Sequence, residues 1–387
     1  MSQLSLFHTN RQFQTVALSQ MLTVFGSNLL LPVLPIYFKL QGFSDSKIGA
    51  LMGIAALGAL VVRPWCGRLV DIRGSRPVLQ LGQALTAMGI AAYFFTLSFA
   101  PLLLLRFFQG VAMAFFGTAS VTFASSVETG DRVAGAIALY TVFTMVGLGI
   151  ATSGAPLLYS QIGFSSLVAA GLTAVLAAAA VMGLRGRAIA PPPGQHKVPF
   201  LSVLRAKEVL APTVCLFASN FACMTMFTFV PLLALARSVA FSGFFIAFML
   251  AVVATRLSIN QLTAHATTVS LATGASLVNA VGVALVCGYL SPLTLAIAGA
   301  CIGIGFGLIF PVLTVYVVQH GDPLTKGTAL SIFTCAGDVG NALGASVLGV
   351  VADLFGYQAL FAVSATVVLA CTWHFYSALS DRSVKAA

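Results

Sequence analysis

The sequence has 387 residues, of which 59% are hydrophobic and 7% charged, and its formal net charge is +10. Soluble domains are close to half apolar and about a quarter charged, so this composition excludes a soluble globular protein. Apolar runs of about 20 residues, enough to cross roughly 30 Å of hydrocarbon as a helix, recur along the whole chain.

Twelve such runs predict twelve transmembrane helices. They lie near residues 15–38, 48–66, 77–98, 101–125, 134–157, 164–184, 209–235, 240–258, 266–289, 291–317, 327–351 and 357–378. Strands of a membrane barrel are about 10 residues long with alternating polarity, whereas these runs are longer and apolar on every face. The predicted fold class is therefore an all-α polytopic membrane protein. The first run is too long for a cleavable signal peptide.

The positive charges are distributed unevenly between alternate loops. With the N-terminus in the cytoplasm, thirteen Lys and Arg residues fall on inner segments and only Lys39, Lys47 and Arg237 on outer loops. This asymmetry is the positive-inside bias, so we expect both termini in the cytoplasm and the protein in the cytoplasmic (inner) membrane. The net charge then reflects topology, and nucleic acid is not expected as a partner.

The chain divides near its middle. The longest polar interruption carries a proline run and predicts a cytoplasmic linker at residues 187–208, between six-helix bundles at 1–186 and 209–387. Pro101 opens a glycine-rich helix in the first half, and Pro292 opens a similar one 191 residues later. This repeat favours duplication of a six-helix unit, with a transport site between the halves near the middle of the membrane.

Three short motifs resemble those of the major facilitator superfamily. "GRLVDIRGSR" after the second predicted helix resembles its cytoplasmic loop motif, and "RFFQG" in the fourth resembles its motif of an arginine followed by glycine. "GLGIATSGAP" in the fifth resembles the glycine-proline motif of its drug/proton antiporters, which are exporters. The residues in the first and third motifs are Gly67, Asp71, Arg73, Gly74 and Arg76, and Gly147, Gly149, Gly154 and Pro156. The resemblance covers essentially the whole chain.

The resemblance implies roles for two of these motifs. In the superfamily the position of Asp71 lies near the start of the eleventh helix, here Lys326 and Gly327. A helix N-terminus carries about half a positive charge, so Asp71 docked there would clasp the two halves on the inner side and favour the outward-facing state. The glycines and Pro156 of the fifth helix would allow bending, although close helix packing is the alternative role for the glycines.

Few residues in the apolar runs can carry chemistry. No GxxxxGK[ST] loop is present, and no catalytic triad or carboxylate pair indicates an enzyme. The histidines are scattered and no CxxC pair occurs, so neither a metal centre nor a cofactor is expected.

Asp338 is the only carboxylate near the midpoint of a predicted helix, and Asn341 follows one turn later. Burial favours the neutral form of a carboxylate, so Asp338 is a candidate proton carrier, with a purely structural hydrogen-bonded role as the alternative. Arg106, in the fourth helix, could repel the proton from Asp338 or bind an anionic substrate. Its side chain could also simply extend to the membrane surface.

Uncharged amides supply the remaining candidates. Gln20, Asn28, Gln109, Asn220 and Asn341 could line a substrate cavity, or they could hydrogen-bond neighbouring helices. We therefore expect a monomeric secondary transporter that couples protons to export of a small organic compound. The alternatives are uptake of an organic anion or sugar and, from another class, a receptor or scaffold that transports nothing. The expected partners are that substrate, protons and the lipid bilayer.

Overall fold

The computed structural model describes residues 11–95, 98–126, 132–185, 207–288, 290–320 and 326–383, and the regular structure within these ranges is helical. The predicted all-α class is confirmed. The helices are α1 Arg11–Asn28, α2 Leu34–Leu40, α3 Asp45–Arg73, α4 Ser75–Ala91, α5 Phe99–Ser126, α6 Arg132–Arg185, α7 Lys207–Ala236, α8 Ser242–His265, α9 Thr268–Leu285, α10 Pro292–His320 and α11 Lys326–Ser383, with a 3-10 turn at Ala92–Phe94.

Eight segments of the described residues are long and apolar enough to span a membrane. Two of them, Leu139–Gly183 with 45 residues and Ala329–Leu379 with 51, far exceed the roughly 20 residues of one crossing. The backbone leaves helical geometry inside each, at Gly163 with φ 73° and at Gly356 with φ 80°. α6 and α11 therefore each contain two helices that meet at a glycine, where the sequence predicts turns. The count of twelve helices and the side on which the termini lie stay predictions.

The described residues form two compact units. The first unit comprises the chain up to Tyr37 and from Ile54 to the end of α6, and the second comprises Phe38–Gly53 and everything from α7 onward. α3 thus begins in the second unit and continues in the first. The predicted linker at 187–208 lies outside the described residues except for its last two positions. The predicted bundle limits stay predictions.

In the first unit α1 packs along α6, and α4 packs along α5. Phe13 and Phe123 are fully buried in its core. Gln83 on α4 is also fully buried, and its Nε2 donates to Ser19 Oγ at 2.8 Å and to Thr23 Oγ1 at 2.9 Å. One amide therefore ties α4 to α1.

In the second unit α7 packs along α11, and α10 packs against α8 and α9. Phe333 and Leu313 are fully buried in its core. Asn279 on α9 is fully buried and donates from Nδ2 to Ser219 Oγ of α7 at 3.1 Å.

Equivalent contacts recur in the two units. The amide-to-hydroxyl bonds of Gln83 with Thr23 and of Asn279 with Ser219 both join residues 60 positions apart. Glycines bring helices close enough that a side chain would collide with the facing carbonyl: Gly110 at Ala55 and Gly147 at Met21 in the first unit, and Gly303 at Phe248 and Gly340 at Phe217 in the second. The shared packing supports duplication of a six-helix unit.

Candidate functional site

Asp338 lies on the seam between α7 and α11. Gly340 and Gly344 of α11 meet the backbone of α7 directly, so the two helices approach closely. Asn220 of α7 faces the residue before Asp338, since a Cβ on Gly337 would lie 3.3 Å from Asn220 Nδ2. Asn220 and Asp338 are both half-buried. The structure therefore brings a carboxylate and an amide, 118 residues apart in the chain, to adjoining positions on one helix pair.

Uncharged polar groups of α7 make hydrogen bonds along this seam. Asn220 Nδ2 donates to Leu216 O of its own helix at 3.1 Å, and Thr225 Oγ1 donates to Gly344 O across the seam at 3.1 Å. Asn341 is half-buried one turn after Asp338, on the same side of α11. Two of the five predicted amides thus share the Asp338 neighbourhood.

Arg106 of α5 is a buried cation, with 8% of its surface exposed. Its Nη1 donates to Gln109 Oε1 at 3.0 Å, and Tyr93 OH donates to the same oxygen at 3.0 Å. Gln109 therefore holds the guanidinium and the phenol together, and its carbonyl oxygen is occupied by them. A cavity role for Gln109 stays a prediction.

Aromatic rings continue from this cluster. Phe164, which follows the break at Gly163, stacks on Tyr37 with ring centroids 3.7 Å apart. It also meets Tyr93 edge to face at 6.1 Å. The phenol that touches Gln109 is therefore packed as well as hydrogen-bonded, which restricts the position of the Arg106 cluster.

The remaining predicted amides bond within α1 or to α6. Gln20 is 5% exposed, and its Nε2 donates to Thr144 Oγ1 of α6 at 3.1 Å. Asn28, the last residue of α1, donates to Val24 O at 2.9 Å and to Ser27 Oγ at 3.2 Å. Gln20 therefore bonds a neighbouring helix, and the cavity roles of Gln20 and Asn28 stay predictions.

The loop motif forms the junction between α3 and α4. Gly74 has φ 82° and ψ 162°, a conformation that is essentially limited to glycine, which explains this motif position. Arg76 Nη2 donates to Gly183 O at the end of α6 at 2.9 Å, while Arg73 is exposed. Gly67 lies within α3 with open space beside it.

The structure does not describe the side chains of Asp71 and Lys326, so the docking of Asp71 on the start of α11, at Lys326 and Gly327, stays a prediction.

The glycine-proline motif lies in the first half of α6. Gly147 is buried against the carbonyl of Met21 on α1, which accounts for that glycine by close packing. Gly149 is buried and Gly154 has open space beside it. The helix continues through Pro156 to the break at Gly163. Bending at this motif stays a prediction.

A comparison with protein families decides the identity of the fold. The sequence matches the Major Facilitator Superfamily over residues 16–340 and again over 271–386, which is most of the chain. The chain belongs to the major facilitator superfamily. As a member of this superfamily it is a multi-pass membrane transporter, and nothing in the relationship indicates an enzyme.

Two bacterial members of the superfamily match nearly end to end. An uncharacterised transporter of this type from Salmonella typhimurium is 26% identical over 358 residues, which cover 88% of this chain and 89% of the relative. The staphylopine export protein of Staphylococcus aureus is 24% identical over 371 residues, covering 90% and 91%.

Among solved structures of the superfamily, the nucleoside transporter NupG superposes with a TM-score of 0.77. The match covers 96% of this chain and 100% of NupG. The sequence identity is 14%, so this likeness shows the fold alone.

Sequence reasoning missed Tyr93 as a partner of the Arg106 cluster. Tyr93 lies in the short 3-10 turn after α4, 16 residues before Gln109, and no motif surrounds it. An isolated tyrosine at the end of an apolar run is typical of a membrane interface. Only the packing of α5 against α4 shows that its hydroxyl reaches the amide of Gln109.

Proposed function

We propose that the protein is a proton-coupled exporter of a small organic compound and that it works by alternating access. The observation that carries the proposal is the position of Asp338, a half-buried carboxylate beside Asn220 within the apolar segment Ala329–Leu379. It lies twelve residues after Lys326, or about 18 Å along the helix at about 1.5 Å per residue. A carboxylate at that depth is costly when charged, which suits it to binding and releasing a proton.

Arg106 acts as the electrostatic partner of Asp338 in this proposal. A nearby cation favours the charged form of a carboxylate and therefore favours proton release. Its guanidinium is held by the amide oxygen of Gln109, so its charge has a defined position. Asp338 would bind a proton in one conformation and lose it in another in which Arg106 is nearer.

The direction of transport is proposed as export. Support comes from the staphylopine export protein, which matches this chain over 90% of its length.

The substrate is proposed to be a small organic compound because the polar groups beside Asp338 are amides, which hydrogen-bond neutral and zwitterionic compounds. We further propose a monomer of twelve helices in the inner membrane, with six-helix bundles at residues 1–186 and 209–387 and both termini in the cytoplasm.

The cytoplasmic loop motif completes the proposed cycle. Asp71 docked at the start of α11, near Lys326 and Gly327, would form an inner latch that favours the outward-facing state. Support comes from the positive charge of a helix N-terminus, an interaction of roughly 0.3 to 2 kcal/mol. This is enough to bias two conformations without locking either.

The proposal is tested in everted membrane vesicles that contain the protein and are acidified inside. The probes are radiolabelled staphylopine and, separately, ethidium. We expect Asp338→Asn to abolish accumulation against a gradient while it keeps exchange of labelled for unlabelled probe, because the amide cannot release a proton. Glu208→Gln, which removes a carboxylate at the start of α7, is the matched control and should still accumulate the probe.

Two results would contradict the proposal. Accumulation by Asp338→Asn at the wild-type level would remove the proton role of Asp338. Accumulation only when the vesicle interior is alkaline would reverse the direction and favour the uptake alternative.

A further inference from the structure

The carboxylate of Asp353, more than 300 residues later in the chain, caps the N-terminus of α3. The backbone N–H of Asp45 donates to Asp353 Oδ1 at 2.9 Å, and the N–H of Ser46 donates to Asp353 Oδ2 at 2.9 Å. Both oxygens of one side chain are thus used on successive amides. All three residues belong to the second unit.

The first N–H groups of a helix lack partners within the helix and carry a partial positive charge. They are usually satisfied by a side chain from the residues just before the helix. Here Ser44 Oγ does this only for the N–H of Lys47, at 3.4 Å. The N–H groups of Asp45 and Ser46 are satisfied instead by Asp353, which makes the cap of α3 a tertiary contact.

Glycines allow α3 and α11 to pack closely around this cap. Gly49 of α3 lies against the carbonyl of Ala345, and Gly53 lies against the carbonyl of Ala342, both on α11. Gly349 of α11 leaves room for α3 in turn, since a Cβ there would lie 2.6 Å from Asp45 O. The first turns of α3 therefore rest directly on the α11 backbone up to Asp353.

A local ion pair steadies the captured end. Lys39 Nζ lies 2.7 Å from Asp45 Oδ1, and Asp45 is 6% exposed. Lys39 comes from α2, so the turn before α3 is tied to its first residue. The charges of Lys39 and Asp45 offset each other, and the Asp353 carboxylate is left facing the helix amides.

The sequence around Asp353 has the same spacing as the cytoplasmic loop motif. "GVVADLFG" places Gly349, Asp353 and Gly356 as "GRLVDIRG" places Gly67, Asp71 and Gly74. The last glycine of each ends a helix with nearly the same backbone, φ 80° and ψ 173° at Gly356 and φ 82° and ψ 162° at Gly74. By the predicted topology the segment around Asp353 faces outward and the segment around Asp71 faces inward.

We propose that Asp353 is a gating residue of the transport cycle. Together with the N–H groups of Asp45 and Ser46 it forms an outer clasp, which holds the first turns of α3 on the second unit. Because α3 continues into the first unit from Ile54, the outer clasp has to release when the outer side of the transporter opens. It opposes the inner latch of Asp71. The inference rests on the alternating access of the proposed function.

The test measures the outward-open population directly. Spin labels on Gln161→Cys, an exposed residue of the first unit near Gly163, and on Arg237→Cys, an exposed residue after α7, report the outer distance in protein whose native cysteines are replaced by alanine. Pulsed electron resonance is recorded in lipid nanodiscs. We expect Asp353→Asn to raise the ratio of long to short distances about 2- to 5-fold, because Asn keeps one acceptor oxygen but loses the negative charge that faces the helix N-terminus.

Two controls and a second variant keep the test decisive. Glu208→Gln removes a carboxylate elsewhere in the second unit and should leave the ratio unchanged. Gly349→Ala keeps Asp353 but pushes a methyl group toward Asp45 O, so it should shift the ratio in the same direction as Asp353→Asn. Gly274→Ala, where open space surrounds the glycine, is its matched control.

The distances are recorded without substrate and without a pH gradient. Failure of proton coupling at Asp338 would therefore leave the predicted shift intact, and failure of the clasp would leave the vesicle assay intact. A ratio that stays at the wild-type value in both Asp353→Asn and Gly349→Ala would overturn the outer clasp. So would a shift in the opposite direction.

Discussion

Gln109→Leu removes the single oxygen to which Arg106 Nη1 and Tyr93 OH both donate, each at 3.0 Å. A hydrogen bond that involves a charged group, such as the one donated by Arg106, is worth about 1.5 to 3 kcal/mol. A neutral side-chain hydrogen bond in a membrane protein averages about 0.6 kcal/mol and reaches about 1.7 kcal/mol. The two losses together predict a decrease of about 2 to 5 kcal/mol in the free energy of unfolding. The loss is large because the guanidinium of Arg106 stays buried while one of its partners is gone.

Tyr93→Phe is the matched control, since it removes one donor and leaves Gln109 bonded to Arg106. We expect it to cost about 1 kcal/mol. Combining it with Gln109→Leu should cost less than the sum of the two single changes, because the phenol has already lost its acceptor.

Unfolding of the purified protein in mild detergent, followed as a function of denaturant, measures all three variants. The reasoning is refuted if Gln109→Leu is no less stable than Tyr93→Phe. It is also refuted if the effects of the two single changes on the free energy of unfolding add without coupling. A Gln109→Leu variant that keeps its stability and alters only the KM for a transported probe would indicate instead a residue that lines a cavity.

Two further pairs of changes test the fold through the same unfolding measurement. Gly74→Ala and Gly356→Ala each force a side chain into backbone conformations essentially limited to glycine, so each should cost about 1 to 3 kcal/mol, while Gly274→Ala should not destabilise. Gln83→Leu removes two interhelical hydrogen bonds and Asn279→Leu removes one, so the first should cost about 1 to 2 kcal/mol and the second about half as much. Equal stability of the two leucine variants would argue against hydrogen bonding as the cause.

The helical class and the approximate helix positions could be predicted because apolar length alone determines them in a membrane. The breaks at Gly163 and Gly356 fall where the predicted spans end, since a chain that has crossed the bilayer must turn in water. The sequence also indicated a duplication. The residues that make equivalent contacts in the two units are separated by slightly more positions in the chain than Pro101 and Pro292 are.

The partners of the polar side chains could not be predicted. Helices that are apolar on every face carry no periodic signal that tells a lipid-facing amide from a packed one. Gln20 and Gln109 were therefore both cavity candidates, and the structure gives each a partner on another side chain. The role of Asp353 could not be predicted because its partners lie more than 300 residues earlier, although the sequence around it repeats the spacing around Asp71.

The depth of each carboxylate in its helix explains the different role that we propose for it. Asp71 lies two residues before the C-terminal end of α3, and Asp353 lies three residues before the break at Gly356. When a contact at such a helix end opens, water can solvate both the carboxylate and the helix amides, so release costs little more than the contact itself. Asp338 lies away from either end of its helix, within an apolar segment, and in the proposed mechanism a proton neutralises it there. We therefore assign reversible contacts between helices to Asp71 and Asp353, at helix ends, and proton exchange to Asp338, within a helix.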